Sequence, residues 1–138
     1  MELVVVDTDV LSFFQKPDQP KYAELARRYQ KHLVGRIIVI SFQSAAELRR
    51  RAAERNWGLR GQGKLDEFLA ANIVRFPDSE TCRAWAKIMD GCQRKGRKID
   101  SQDAWVAASA LRDGLPLVSH NRKDFESVEG LSLLTEPD

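Results

Sequence analysis

The stretch VVVDTDVL at residues 4–11 places two aspartates directly after three valines. Consecutive β-branched apolar residues predict a strand that is buried on both faces, as in a parallel sheet. Ligands of open parallel α/β sheets bind beyond the carboxyl ends of the strands, and Asp7 stands at that edge. The alternative is that Asp7 is only the N-cap of the next helix, which stabilises by about 1 kcal/mol. Asp9 follows where the chain turns into this helix, so its side chain need not point the same way.

Apolar runs of the same kind predict five strands in all, at residues 2–6, 36–41, 72–76, 116–119 and 131–134. Helical patterns separate them, over residues 20–33, 42–56, 79–93 and 100–112. Strands that alternate with helices pair in parallel and are covered by helices on both faces. We therefore predict an α/β fold with a central, mainly parallel sheet.

Two helical segments carry irregular signals. Gly61 and Gly63 in the sequence LRGQGKLDEFLAAN should interrupt or delay a helix. The following helical segment opens with a candidate capping box, in which Ser79 is the N-cap and Cys82 takes the place of the usual Glu.

The composition is that of a globular domain, since 43% of the 138 residues are apolar and 30% are charged. One domain over residues 1–138 is therefore expected. A net charge of +2 is too small to indicate a nucleic-acid partner by itself. Basic residues do cluster at residues 49–64 and in the RKGRK sequence at 94–98, although solvated helix faces and a turn would explain both clusters.

Cys82 and Cys92 are expected to be free thiols. They lie in one predicted helix, separated by roughly 15 Å, which is too far for a disulfide. The sequence also has no signal-peptide pattern and no apolar run of membrane-spanning length. These observations lead us to expect a cytoplasmic protein without a membrane segment.

Three more carboxylates occupy places comparable to that of the first aspartate. Glu47 follows the second strand, Asp103 lies in the first turn of the helix before the fourth strand, and Asp124 follows that strand. An ion pair with Arg50 or Arg51 is an alternative role for Glu47. Capping would account for Asp103 and a loop turn for Asp124. Carboxylates in one cleft repel each other unless a cation neutralises them, and such ligands suit Mg²⁺ or Mn²⁺ beside a phosphate.

These features resemble the PIN-domain ribonucleases, and within them the VapC-type toxins of bacterial toxin–antitoxin pairs. Four stretches carry the resemblance: VVVDTDVL at 4–11, ISFQSAAEL at 40–48, SQDAWVAASALRDGLPLVSHNRKDF at 101–125, and VEGLSLL at 128–134. The third is the most specific, because an aspartate, an aromatic residue, an Ala-rich helix, a strand and an Asn-x-x-Asp-Phe loop follow in one order. The resemblance implies a three-layer PIN-like domain whose short strands have the order 3-2-1-4-5.

The resemblance assigns catalysis to four carboxylates, which are Asp7, Glu47, Asp103 and Asp124. Three of them would hold Mg²⁺ or Mn²⁺, directly or through water: Asp7, Asp103 and Asp124. Glu47 would be a further ligand or a base that orients water. Some family members carry the fourth carboxylate at the position of Asn121, and in this chain Asp100 is the alternative to Asp124.

The resemblance also assigns supporting roles. The metal site would be supported by polar side chains at Thr8, Ser119 and Asn121, with Ser119 standing where the family usually has threonine. The phosphate backbone of RNA would be guided by Arg49, Arg50, Arg51, Arg94, Lys95, Arg97 and Lys98. Trp57 or Trp105 would offer a stacking surface for bases, although the helical neighbours of Trp105 favour packing in the core.

The activity implied by the resemblance is metal-dependent endoribonucleolytic hydrolysis of phosphodiester bonds, with tRNA or rRNA as the substrate. The partners implied are a second copy of the chain, in a homodimer, and a cognate antitoxin that holds the toxin inactive. The antitoxin would occupy an exposed apolar groove on the early helices, with LSFF at 11–14 as a candidate part of it. The alternative is that Leu11 and Phe14 pack on the sheet.

Two other functions fit parts of the sequence. The DTDVL sequence at 7–11 also matches the start of the haloacid dehalogenase phosphatase motif, with Asp7 as nucleophile and Asp9 as general acid, but the chain is short for that family. A non-catalytic PIN-like module that binds RNA or a protein would not need the carboxylates. A serine hydrolase is not indicated, because His32 and His120, both expected at the surface, lie far from any G-x-S-x-G sequence.

Overall fold

The computed structural model describes residues 2–138 and contains the five predicted strands. Their bounds are β1 Leu3–Val6, β2 Ile37–Ser41, β3 Ile73–Arg75, β4 Leu117–Val118 and β5 Leu133–Leu134. All four strand pairs are parallel, and the order across the sheet is β3-β2-β1-β4-β5. Both the parallel pairing and the order 3-2-1-4-5 are therefore confirmed.

Helices connect consecutive strands along the described chain. Their bounds are α1 Thr8–Phe13, α2 Pro20–Leu33, α3 Phe42–Glu54, α4 Leu59–Ala71, α5 Ser79–Arg94, α6 Ser101–Asp113 and α7 Arg122–Phe125. In residues 2–138 we find no helix whose length and apolar character would let it cross a membrane. Cys82 is exposed and Cys92 is buried, and both are free thiols as predicted.

The side chains of β1 alternate between two apolar cores. Val4 and Val6 pack with residues from α1 to α4, whereas Val5 packs with residues from α5 and α6. All three valines are fully buried, and burying a side chain of this kind stabilises by about 1.5–3 kcal/mol. Alternation of this kind is expected because successive side chains of a strand point to opposite faces of the sheet. The prediction of helices on both faces is confirmed.

The expectation that glycines interrupt the segment before β3 is wrong. α4 runs without a break through Gly61 and Gly63. Each glycine costs about 1 kcal/mol in a helix interior, but α4 also buries Leu65 and Leu69, each of which contributes about 1.5–3 kcal/mol. A Cβ at position 61 would lie 2.8 Å from the Cβ of Trp57. This glycine therefore permits close packing of Trp57 against the helix.

The capping box of α5 lies one residue earlier than predicted. The N-cap is Asp78, whose carboxylate accepts a hydrogen bond from the backbone N–H of Thr81, and the Thr81 hydroxyl accepts one from the N–H of Asp78. Asp78 also accepts hydrogen bonds from Arg112, and this guanidinium holds the pKa of the carboxyl well below its ordinary value. The predicted pair of Ser79 and Cys82 is wrong, because local spacing did not distinguish two adjacent polar residues.

Candidate functional site

Asp7 lies at the carboxyl edge of the sheet, where β1 ends and α1 begins. Its Oδ1 accepts a hydrogen bond from the backbone N–H of Thr8 at 2.8 Å, and its Oδ2 accepts one from the Ser119 hydroxyl at 2.8 Å. The side chain is therefore the N-cap of α1. It is also held by Ser119, which directly follows the neighbouring strand β4. Only 7% of the residue is exposed, which is an unusual position for a carboxylate with no cation beside it.

The other predicted carboxylates lie near this edge, as their effects on one another show. Burial raises the pKa of Asp103 to about 7, and the negative charge of Asp124, a hydrogen bond shared with it, and the charges of Asp100 and Glu47 act in the same direction. Burial raises the pKa of Asp7 to about 7, with further contributions from Asp9 and Asp103. The structure thus brings together carboxylates from four separate parts of the chain.

Asp124 raises the pKa of Asp103 more than Asp100 does. The charge of Asp124 is the largest influence on the Asp103 carboxyl after burial, and the charge of Asp100 is smaller. Asp100 is the N-cap residue of α6, but its side chain makes no capping hydrogen bond. The proposed capping pair of Asp100 and Asp103 is therefore absent, and α6 presents both carboxylates without using them at its own end.

Two of the supporting polar residues hold the loop after β4 against the carboxylates. The Asn121 amide donates from Nδ2 to Oδ2 of Asp124 at 2.5 Å, and the backbone N–H of Asn121 donates to Ser119 Oγ at 3.0 Å. Because Ser119 in turn donates to Asp7, this chain of hydrogen bonds links two of the predicted metal ligands. On the other side, Gln43 Nε2 donates to Glu47 Oε1 at 3.3 Å.

No basic side chain of the described residues neutralises the cluster. The ion pairs between residues 2 and 138 leave out all five carboxylates, Asp7, Glu47, Asp100, Asp103 and Asp124. The ion pair considered for Glu47 is not formed, because Arg50 pairs with Glu54 and Arg51 donates to the Ser12 hydroxyl at 2.6 Å. Mutual repulsion of these carboxylates favours binding of a cation.

The donors of the cluster fit a hard divalent cation. They are carboxylate and hydroxyl oxygens, which Mg²⁺ and Mn²⁺ prefer over softer ligands. Thr8 Oγ1, next to Asp7, is the one buried side-chain polar atom among residues 2–138 without a hydrogen-bond partner. Among residues 2–138, no group of three His, Cys, Asp or Glu side chains is already arranged to enclose a metal ion.

Asp9, His120 and Tyr29 form a partly buried network that the sequence did not indicate. Asp9 accepts hydrogen bonds from the backbone N–H of Val10 at 2.6 Å and of His120 at 3.1 Å. The His120 ring contacts the Tyr29 hydroxyl through Nδ1 at 2.6 Å. The exposed fraction of the side chain is 17% for both His120 and His32, so the two histidines expected at the surface are partly buried. Both oxygens of Asp9 are occupied by backbone donors, unlike those of a free general acid.

The basic residues predicted to contact RNA mostly have partners within the chain. Arg49 pairs with Asp66, and Arg94 pairs with Asp90. Arg97 pairs with Glu126, which immediately follows the short helix that carries Asp124. The surface around residues 94–98 therefore contacts the residue that directly follows α7, the helix that carries Asp124.

The two tryptophans considered for base stacking have different surroundings. Trp105 stacks on Trp85, with ring centroids 5.0 Å apart, and meets the edge of Phe42 at 5.4 Å. Trp105 therefore packs against neighbouring aromatic rings, although it is only partly buried and belongs to neither apolar core. Trp57 instead lines an apolar cavity between α4 and Gln15, which lies in the loop after α1.

An apolar groove runs between the early helices. One cavity of about 460 Å³ is lined by Trp57, Leu65 and Phe68, and a second of about 390 Å³ by Leu11, Phe14 and other residues of α1, α2 and β2. Gln15 and Phe68 line both cavities, so the two are adjacent. We call this surface the apolar groove. Leu11 is buried whereas 42% of Phe14 is exposed, so the LSFF segment both packs on the core and lines the groove.

The chain is similar to known proteins in both sequence and fold. The family described as PIN domain matches residues 4–131. Ribonuclease VapC1 of Haemophilus influenzae strain R2866 is 28% identical over 131 residues, or 94% of each chain. Among solved structures, VapBC2 of Rickettsia felis bound to a DNA fragment from its promoter aligns with a TM-score of 0.79 at 21% identity, over 98% of this chain and 99% of that one. VapBC-1 of nontypeable Haemophilus influenzae aligns with a TM-score of 0.80 at 23% identity, over 96% and 97%.

Proposed function

Because this chain belongs to the PIN domain family, we propose that it is the toxin nuclease of a toxin–antitoxin pair and hydrolyses RNA with the help of Mg²⁺ or Mn²⁺. The name of the relative Ribonuclease VapC1 supports ribonuclease activity, and the fold shared with chains of VapBC complexes supports a toxin with an antitoxin partner. The observation that carries the proposal is the group of mutually repelling carboxylates without a basic partner at the edge of the sheet.

Each carboxylate has a distinct proposed role. Asp7, Asp103 and Asp124 would hold the cation, and Glu47 would bind it as well or orient the attacking water. A bound Mg²⁺ or Mn²⁺ supplies a polarised phosphoryl oxygen, a more acidic water and charge neutralisation at the leaving oxygen. The protein itself fixes the ligands, since Ser119 holds Asp7 and Asn121 holds Asp124. These contacts keep two ligands from turning away from the cluster.

The direct test is cleavage of mixed tRNA and rRNA by purified protein, with Mg²⁺, Mn²⁺ or a chelator, followed by mapping of the new RNA ends. We expect cleavage at discrete sites with either metal, none with chelator, and a loss of roughly 10³-fold in Asp103→Asn, because metal catalysis contributes several kcal/mol. The control is Asp66→Asn, an exposed carboxylate on α4 that pairs with Arg49. Wild-type protein that is inert with both metals and still binds RNA would replace this proposal with a non-catalytic binding module.

A phosphatase of the haloacid dehalogenase type is the less favoured alternative. That mechanism needs Asp9 as a proton donor beside Asp7, but both Asp9 oxygens accept hydrogen bonds from the backbone. Hydrolysis of a small phosphate ester that depends equally on Asp7 and Asp9 would support the phosphatase instead.

The apolar groove is the surface that we propose for the antitoxin. The groove lies on α1, α2 and α4, and none of the five carboxylates of the cluster lines it. Its lining residues are mainly aliphatic and aromatic. An amphipathic segment that buries its apolar side chains in such a groove is a common mode of peptide recognition.

We also propose a homodimer, which light scattering after size-exclusion chromatography would detect. We further propose a cytoplasmic location, where both thiols stay reduced.

Val34→Asp is expected to weaken binding of the cognate antitoxin by at least about tenfold, because a charge would be placed at an apolar contact. Val34 lines the groove and is 68% exposed, so the fold should tolerate the change. The matched control is Phe76→Asp, since Phe76 is 73% exposed but follows β3 and does not line the groove. Isothermal titration calorimetry with purified antitoxin measures both affinities, and equal affinities would place the antitoxin elsewhere.

A further inference from the structure

Arg51 differs from the two arginines that precede it on α3. Arg49 and Arg50 are exposed, and they form ion pairs with carboxylates of α4 and α3. Arg51 is partly buried, and its Nη1 donates to the Ser12 hydroxyl of α1 at 2.6 Å. It belongs to none of the ion pairs between residues 2 and 138. A partly buried charge without an ion pair normally costs free energy, which indicates that Arg51 has a role beyond packing.

A chain of three hydrogen bonds runs from Arg51 to Asp7, the most buried of the proposed metal ligands. After the bond from Arg51 to Ser12, the Ser12 hydroxyl donates to the Thr8 carbonyl oxygen at 2.8 Å. The Thr8 N–H then donates to Asp7 Oδ1 at 2.8 Å. A hydroxyl has one proton to donate and two lone pairs to accept with, so Ser12 can serve both of its partners at once. The chain therefore joins α3 to the residue at which β1 ends and α1 begins.

Glu47, another carboxylate of the cluster, lies one turn before Arg51 on the same face of α3. Residues four positions apart are neighbours on a helix surface, and Gln43, one turn earlier again, donates to Glu47 Oε1 at 3.3 Å. The Arg51 guanidinium donates to Ser12 instead of pairing with this glutamate. One face of α3 thus presents a carboxylate of the cluster and, one turn later, the side chain that binds α1.

The contact of Arg51 with Ser12 is the one hydrogen bond that joins α1 to α3 among residues 2–138. The two helices also contribute apolar side chains to a shared core, Val10 of α1 and Leu48 of α3 among them. Apolar packing has no direction, whereas a hydrogen bond requires its donor and acceptor to lie about 3 Å apart and aligned. The hydrogen bond therefore fixes how α1 is turned relative to α3.

We propose that Arg51 is a positioning residue of the candidate metal site. Through Ser12 it holds the first turn of α1 against α3, and in this way it sets the separation of Asp7 and Glu47. The inference rests on the proposed function, because it takes these carboxylates to gather around a divalent cation. Loss of a residue that orients metal ligands typically weakens metal binding by about 10–100-fold. Loss of the Arg51 charge alone would act in the opposite direction, since a nearby positive charge repels the cation.

The test measures Mn²⁺ binding to the purified protein without RNA, from the decrease of the electron paramagnetic resonance signal of free Mn²⁺. Ser12→Ala removes the link without changing any charge, and it should weaken Mn²⁺ binding about tenfold. The matched control is Ser109→Ala on α6. Ser109 is also buried, and its hydroxyl also donates to the carbonyl oxygen four residues earlier, at 3.0 Å, but it forms no hydrogen bond with another element of residues 2–138. This control should bind Mn²⁺ like the wild type.

A second pair of variants separates position from charge. Arg51→Met removes the link together with the charge and should also weaken Mn²⁺ binding. Its control is Arg50→Met, which changes the net charge equally at an exposed position and should bind Mn²⁺ at least as tightly as the wild type. The double variant Ser12→Ala/Arg51→Met should bind about as weakly as Ser12→Ala alone, because residues that act through one hydrogen bond have non-additive effects.

RNA cleavage supplies a readout that a loss of stability would not change. Ser12→Ala should need about tenfold more Mn²⁺ for half-maximal cleavage. Its KM for RNA and its rate at saturating Mn²⁺ should match those of the wild type, because every proposed metal ligand is still present. Thermal unfolding in chelator shows whether each variant is folded at the assay temperature.

The outcomes separate this proposal from the proposed function. Unchanged Mn²⁺ affinity in Ser12→Ala, tighter binding by Arg51→Met, or additive effects in the double variant would each overturn the positioning role. If the variants weaken Mn²⁺ binding as expected but the wild type does not cleave RNA, the ribonuclease proposal fails and the positioning role stands. A wild type that neither binds Mn²⁺ nor cleaves RNA would overturn both.

Discussion

Asp7→Asn is expected to reduce RNA cleavage strongly and at the same time to make the metal-free protein more stable at pH 7. The loss of activity should be roughly 10³-fold in kcat/KM, because the most buried of the proposed ligands is lost. The gain in stability follows from burial, which together with the charges of Asp9 and Asp103 raises the pKa of Asp7 to about 7. A buried carboxylate of this kind destabilises the folded state when it ionises.

The asparagine side chain can keep the contacts of Asp7. Its carbonyl oxygen can accept from the N–H of Thr8, and its amide can donate to the Ser119 hydroxyl, which has two lone pairs. We therefore expect an increase in Tm of about 5 °C in chelator, as a gain of 1–2 kcal/mol would give. The control is Asp18→Asn, an exposed aspartate in the loop before α2, which should change neither quantity. A destabilised Asp7→Asn protein would contradict the electrostatic argument.

The free energy of unfolding of the metal-free protein is expected to fall as the pH rises from 4 to 7. The pKa values of Asp7 and Asp103 are raised from 3.8 to about 7 in the folded state. Between these values the folded state holds protons that the unfolded state has released, so increasing pH favours unfolding. The slope is about 1.4 kcal/mol per pH unit for each such proton, and smaller for Asp103, which is partly exposed to solvent screening.

Opposite shifts act at lower pH. Arg112 lowers the pKa of Asp78, and His32 and Lys31 lower that of Glu136, so these groups lose their stabilising charge as the pH falls below about 4. Stability in chelator should therefore be highest near pH 4–5. Because metal ligands must be deprotonated, Mg²⁺ or Mn²⁺ should restore stability most at neutral pH.

Urea denaturation across this pH range measures the effect, with and without metal. The double variant Asp7→Asn/Asp103→Asn should lose most of the pH dependence between 4 and 7 and all of the stabilisation by metal. A wild-type protein whose stability rises with pH in chelator would show that the two carboxyls are not raised in pKa.

The carboxylate positions were accessible from the sequence because each follows from a local pattern. Asp7 directly follows a run of valines, and Asp103 lies in the first turn of an Ala-rich helix. Parallel pairing then brings the carboxyl ends of β1, β2 and β4 to one edge. Local patterns fail where two answers differ little in free energy. The local pattern predicts the capping residue of α5 one position too late, and it predicts a break in α4 at glycines whose cost is offset by buried leucines.

The sequence by itself determined the parallel α/β fold, its strand order through the resemblance, and the carboxylates gathered at one edge. Only the tertiary structure decided which side chains hold them, since Ser119 reaches Asp7 across 112 positions and His120 reaches Asp9 across 111. A cavity of about 500 Å³ between α1, α2 and the loop after β4 likewise brings Arg28 and His120 together. The physical reason is that strand and helix patterns depend on neighbours within a few residues, whereas a hydrogen bond of about 3 Å between distant segments depends on sheet register and helix packing.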